Sequence, residues 1–170
     1  MLRLRPYKRC DADYIVSWLK DEATLRKWSA DQFSHFPITA EDLNNHYDSY
    51  ADFDNYYEMT AFAEKEPVAH MIMRFLDEDK TLLRFGFIIV DDSKRGKGYG
   101  KELLKLALKY AFEILKAEKV NLGVFENNPA AYRCYVSLGF RDTGEREHFY
   151  LMGEDWTYQL LETDKDTFLS

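Results

Sequence analysis

The run from Leu82 to Val90, "LLRFGFIIV", is apolar and aromatic, and it leads into "DDSKRGKGYGK", a loop with glycines at 96, 98 and 100. Beyond it, apolar residues recur at 103, 104, 107, 108, 111, 114 and 115, one face of a helix, so a helix is predicted from Gly100 to about Ala117. A strand is predicted over "VNLGVF", Val120 to Phe125. Strand, helix and strand in this order close through a right-handed crossover, which makes the strands ending at Val90 and Phe125 parallel neighbours or nearly so.

A strand that feeds a glycine-rich turn and then a helix suits an anion. The first helical amides point outward, the helix dipole favours negative charge, and glycine clears side chains from the approach. The spacing excludes two phosphate cradles. A dinucleotide fingerprint starting at Gly96 needs a third glycine where Lys101 stands, and a P-loop ending in Gly100-Lys101 needs Ser or Thr at Glu102 and glycine at Arg95.

Around this unit, "LRLRPY" (Leu2 to Tyr7) alternates like a strand. Asp11 or Asp13 is placed to cap a helix over "YIVSWLKDEATLRKW", broken near Asp21. Thr39 and Asp42 form a capping-box pair for a short helix reaching about Ala51. Tyr56–Ala63, Pro67–Leu76 and Leu82–Val90 read as three strands of an antiparallel meander. In "ENNPAAYRCYVSLGF", Asn127 or Asn128 caps a helix of about ten residues, with Pro129 at its first position and Gly139 at its stop. The tail alternates as two antiparallel strands turning near Gly153 and Glu154. The expected fold class is α+β: a mixed, mostly antiparallel sheet of about six to seven strands flanked by helices. With 170 residues and no linker-like tract, residues 1–170 are read as one domain.

Net charge excludes some partners. At −7, nucleic acid and anionic membrane are not expected as partners, since both ask for a broad cationic field. Cys10 and Cys134 are too few for a disulfide framework or a metal cluster, no metal is expected, and no stretch approaches a membrane span; a reducing cytoplasm is the expected compartment.

Arg95-Gly96-Lys97-Gly98-Tyr99-Gly100 resembles the pyrophosphate loop of the GNAT superfamily of acetyl-CoA-dependent N-acetyltransferases, with Arg95, Gly98 and Gly100 in its three defined places. Downstream, Asn128, Ala131, Tyr135, Gly139 and Phe140 fill a second pattern of that superfamily. The resemblance is close over Leu82 to Gly144, looser near the N-terminus, where it points to the ribosomal-protein serine and alanine N-acetyltransferase branch, and absent over 30–60. It implies a splayed parallel pair of strands with acetyl-CoA wedged between them. Backbone groups of Phe87, Ile88, Ile89 and Val90 then pair with the pantetheine arm, the amides of Arg95 to Gly100 take the pyrophosphate, and Asn128 and Ala131 belong to the cofactor site. The same branch implies a possible homodimer.

Acetyl transfer to an amine needs a neutral nucleophile and a proton for the departing thiolate. The resemblance assigns that proton to Tyr135. The general base stays open, because the place of the glutamate used by ribosomal alanine acetyltransferases is here Gly123. Glu126 reads as an exposed turn carboxylate, and His70 and His148 as structural histidines. Deprotonating a lysine-like amine at pH 7 costs about 4.6 kcal/mol and an α-amine about 1 to 1.4 kcal/mol, so a weak base favours a low-pKa amine. Against that, Glu41 to Glu58 holds six carboxylates and five aromatics with no Lys or Arg, a composition that suits an amine-rich acceptor if it borders the cleft. The competing reading is an acyl-CoA-binding regulatory or interaction module without turnover.

Overall fold

The computed structural model describes residues 1–170. Seven strands form one sheet in the order β1-β2-β3-β4-β5-β7-β6. They are β1 (Arg3–Pro6), β2 (Tyr56–Ala63), β3 (Glu66–Phe75), β4 (Leu82–Val90), β5 (Lys119–Phe125), β6 (Arg141–Leu151) and β7 (Glu154–Asp164). Every neighbouring pair is antiparallel except β4 and β5, the pair joined through the glycine loop and its helix. The expected α+β class and mixed sheet are what the chain forms.

Helices cover both faces. On one face, α4 (Tyr99–Lys109), α5 (Pro129–Ser137) and the turn after it bury Leu103, Leu104, Tyr135 and Phe140 against Met71, Met73, Leu83 and Phe85 of the strands. On the other, α1 (Ala12–Trp18), α2 (Glu22–Ser29) and α3 (Ala40–Asp48) enclose Ile15, Leu25, Leu43 and Tyr47 over Ile72. A short α6 (Lys165–Leu169) closes the chain, its Phe168 ring 5.4 Å from that of Phe112.

Several local expectations are corrected. The helix begun at Tyr99 does not run on to Ala117 as one α-helix; after Lys109 it widens into a π turn over Tyr110–Ile114, where the Leu115 amide reaches the Tyr110 carbonyl at 3.0 Å. The turn keeps Ala111 and Phe112 buried before Lys116 ends the run at φ 60°. The α3 helix stops at Asp48 rather than Ala51, although its Thr39 and Asp42 capping box forms as expected. Asp11 stands before α1 but does not cap it, because its carboxylate takes both Arg5 guanidinium nitrogens, at 2.7 and 2.8 Å, and the Lys8 amide. The break near Asp21 is present: Asp21 caps α2 by accepting from the Thr24 amide at 2.8 Å.

Candidate active site

The parallel pair is the feature from which the site is built. Its register runs only from Leu82↔Lys119 to Phe85↔Leu122. From Gly86 and Gly123 onward the two strands have no pairing to each other, while each keeps its outer neighbour. The inner edge of β4 thus carries unpaired backbone groups toward an opening wedge, as the resemblance implied.

A bulge shapes that edge. Gly86 pairs with Ile72 and Ile89 with His70, so β4 uses one residue more than β3, and Phe87 sits at φ 50°. A non-glycine residue in this region costs about 1 to 3 kcal/mol and persists only when its surroundings hold it. Here Trp28 does so: its indole N–H donates to the Phe87 carbonyl at 2.8 Å and its ring lies 4.7 Å from the Phe87 ring. His46 packs on the same ring at 5.6 Å.

The wedge opens into a cavity of about 320 Å³. Its roof is the end of α2 and the segment after it, Trp28 to Gln32, with His46 and Tyr50; its floor crosses the sheet through Tyr56, Arg74, Arg84, Gly123 and Tyr158 to Glu147 and Phe149. Of the residues expected in the site, Phe87, Ile88, Asn128 and Tyr135 line this cavity. Ile89, Val90, Arg95 to Gly100 and Ala131 do not. They lie along and beyond the far end of β4, and Ala131 packs on the core below α4.

The glycine loop has the backbone an anion cradle needs. Gly96 and Gly98 adopt φ 81° and 74°, and a Cβ at either would meet nothing within 4 Å, so backbone conformation and not crowding inside the chain calls for glycine. Gly98 is the N-cap of α4 and makes no side-chain bond there. Arg95 is 2.6 Å from Asp92, which also pairs with Lys20. The Lys20 bond, opposed by burial and reinforced by Arg95, holds the Asp92 carboxyl below its ordinary range.

Tyr135 is 7% exposed, and its hydroxyl makes no hydrogen bond within the chain. Burial pushes this phenol well above its ordinary range, so it carries its proton throughout physiological pH. Tyr132 is occupied elsewhere, its hydroxyl donating to Asp142 at 3.2 Å. Asn128 holds the N-cap position of α5, but its side chain does not cap the helix and instead faces the cavity.

Two residues at the site were missed from sequence. His46 is the one imidazole on the cavity wall, and burial lowers its pKa, which leaves it neutral at pH 7. Tyr158 lies across Gly123 so closely that a Cβ there would stand 1.9 Å from its ring. The space a β5 side chain would occupy is therefore filled by a β7 phenol, itself without a hydrogen bond in the chain. The other residues weighed as bases are elsewhere: His70 is fully buried between Tyr47 (2.6 Å) and Thr60 (3.2 Å), His148 faces Asp155 on the outer strand, and Glu126 is exposed off the cavity wall.

Residues 15–140 match the acetyltransferase (GNAT) family. The chain belongs to this family. As a GNAT protein it is an acetyl-CoA-dependent N-acetyltransferase. It is 26% identical to the spermidine N(1)-acetyltransferase of Escherichia coli strain K12 over 155 residues, 90% of this chain and 80% of that one. With the spermine/spermidine N(1)-acetyltransferase of Bacillus subtilis it shares 39% identity over 56 residues, 33% of this chain and 37% of that protein. The crystal structure of a Vibrio cholerae spermidine N-acetyltransferase in complex with CoA and spermine superposes with a TM-score of 0.84 at 22% identity, covering 99% of this chain and 98% of that one. These relatives name polyamine enzymes and not the ribosomal-protein branch expected from the N-terminal resemblance.

Proposed function

We propose that this GNAT chain transfers acetyl from acetyl-CoA to the primary amine of a small molecule held in the cavity, with Tyr135 as proton donor. The observation that carries the reading is the convergence of the splayed β4 and β5 edges and an unpaired, proton-bearing phenol on one cavity. The residues present fit acetyl-CoA: the β4 edge from Phe87 to Val90 offers backbone groups to an extended amide-bearing arm, Asn128 offers a free amide, and the amides of Arg95 to Gly100 receive phosphate. Bound there, acetyl-CoA supplies the thioester acetyl. Tyr135 Oη holds the proton the departing sulfur requires, and His46, neutral at pH 7, accepts the proton an ammonium must lose, directly or through water.

Polyamines are the acceptors that the relatives' names suggest, and a protein α-amine is the alternative suggested by the N-terminal resemblance. A cavity of about 320 Å³ walled on several sides by aromatic rings supports a small molecule over a protein chain end. One domain over residues 1–170 is supported by the unbroken sheet, and a cytoplasmic setting by two free cysteines. The outer edge of β6, uncovered and with Tyr150 78% exposed, supports pairing into a homodimer, which sedimentation velocity tests.

Thiol release from acetyl-CoA over a panel of amines tests the function. Release that depends on an amine is expected; acetyl-CoA binding without release on any amine would instead establish a non-catalytic module. For His46, the pH profile is the readout: His46→Gln should move the acid limb of kcat/KM to higher pH, and an unmoved limb removes His46 from the proton path.

A further inference from the structure

The floor of the cavity carries an arrangement that acetyl transfer alone does not explain. Arg74 on β3 and Arg84 on β4 are direct cross-strand partners, so two guanidinium groups rise side by side from the same face of the sheet. Like charges directly opposite one another destabilise a sheet pair. Neither arginine has a carboxylate within ion-pair distance, although Arg5, Arg9, Arg26, Arg95, Arg141 and Arg146 all do. Arg84 is also held in place. Its Nε donates to Oδ1 of the buried Asn121 at 2.9 Å, which leaves the terminal nitrogens of the fork free above the floor.

The acidic tract does not supply the missing partner. Of Glu41 to Glu58, the cavity receives only His46, Tyr50 and Tyr56. Asp42 is taken by Thr39 and His35, Asp48 by Arg9, and Asp54 by Lys80. The two carboxylates on the wall are Asp31, on the roof, and Glu147, on β6, which stands three strands from Arg84, about 14 Å at ordinary strand spacing. The charge beside the wedge is positive, the reverse of what a polycation would select.

We infer that the acceptor is an amine that also carries an oxyanion, carboxylate or phosphate, and that Arg74 and Arg84 bind that oxyanion while the amine is presented to the wedge. Two guanidinium forks match the two or three oxygens of such a group. Arg84 lies two residues before the point where β4 leaves β5, and Tyr158 lies over the first unpaired residue of β5, so one small molecule spans both. The inference rests on the acetyl-transfer reading and narrows its substrate.

Matched acceptors test it. β-Alanine is compared with its carboxamide, 4-aminobutyrate with putrescine, and 2-aminoethyl phosphate with β-alanine, which separates phosphate from carboxylate as the oxyanion. At least a tenfold higher kcat/KM is expected for the oxyanion-bearing member of the first two pairs. In Arg74→Gln and Arg84→Gln that ratio should collapse toward one, chiefly through KM, and Arg74→Glu should shift preference toward putrescine. Thermal unfolding of each variant checks folding, and exposed Arg74 keeps the test available if Arg84→Gln unfolds. Amides and polyamines turned over as well as, or better than, oxyanion-bearing amines would overturn this inference and leave acetyl transfer standing. No turnover on any amine would overturn both.

Discussion

Gly123 and Tyr158 make one decision between them. A carboxylate at 123 and a phenol ring at 158 cannot occupy the same space, and this chain keeps the ring. The contact is with the far end of a side chain, so Gly123→Ala is expected to displace the ring and not to unfold the protein. Because the two residues share one volume, Gly123→Ala and Tyr158→Ala should be non-additive, with a coupling of about 0.5 to 3 kcal/mol in a double-mutant cycle of stability. Additive values would show that the ring does not depend on the glycine. From sequence alone Gly123 read as a missing base; what fills its place comes from β7, 35 residues away, and no local pattern announces such a partner. His46 was overlooked for a related reason. It stands in a tract whose charges dominate a linear reading, while folding brings His46, Tyr50 and Tyr56 to the cavity and leaves the tract's carboxylates off its wall.

Among elements, the strands and the glycine loop were legible because alternation, helical spacing and turn residues are local signals. Both β2 and β4 have the bounds read from sequence. The π turn after Lys109 and the bulge at Phe87 were not, since each depends on packing against a distant element. The bulge is held from α2 through Trp28, 59 residues earlier. Trp28→Phe removes the indole donor and is expected to cost about 1 kcal/mol of stability. It should also lower kcat/KM by about tenfold or more, because the strand edge next to the wedge loses its set position. Paired thermal unfolding and steady-state kinetics check this; a destabilised variant with unchanged kcat/KM would detach Trp28 from the site.

Across the molecule, one sheet separates the glycine loop and α4 from the cavity under α2 and α3, and the wedge between β4 and β5 connects them. No helix is long and apolar enough to cross a membrane. The face under α3 holds a buried polar group, His70, whose pKa burial pushes down to about 3 from an ordinary 6.5. Between these values the unfolded chain binds a proton that the folded chain does not. The His70 contribution is therefore complete above pH 6.5 and falls as pH drops toward 3, with a slope approaching about 1.4 kcal/mol per pH unit. Urea unfolding from pH 7 to 4 should show this loss, and His70→Gln should flatten it; an equal slope in both proteins would assign the loss to other groups. We propose that acetyl transfer takes place at this wedge with Tyr135 as proton donor, and kcat of Tyr135→Phe, measured beside its dissociation constant for acetyl-CoA, decides it. The expected result is a fall in kcat of about 100-fold or more with acetyl-CoA affinity unchanged. A kcat equal to that of the unaltered chain would remove Tyr135 from the proton path.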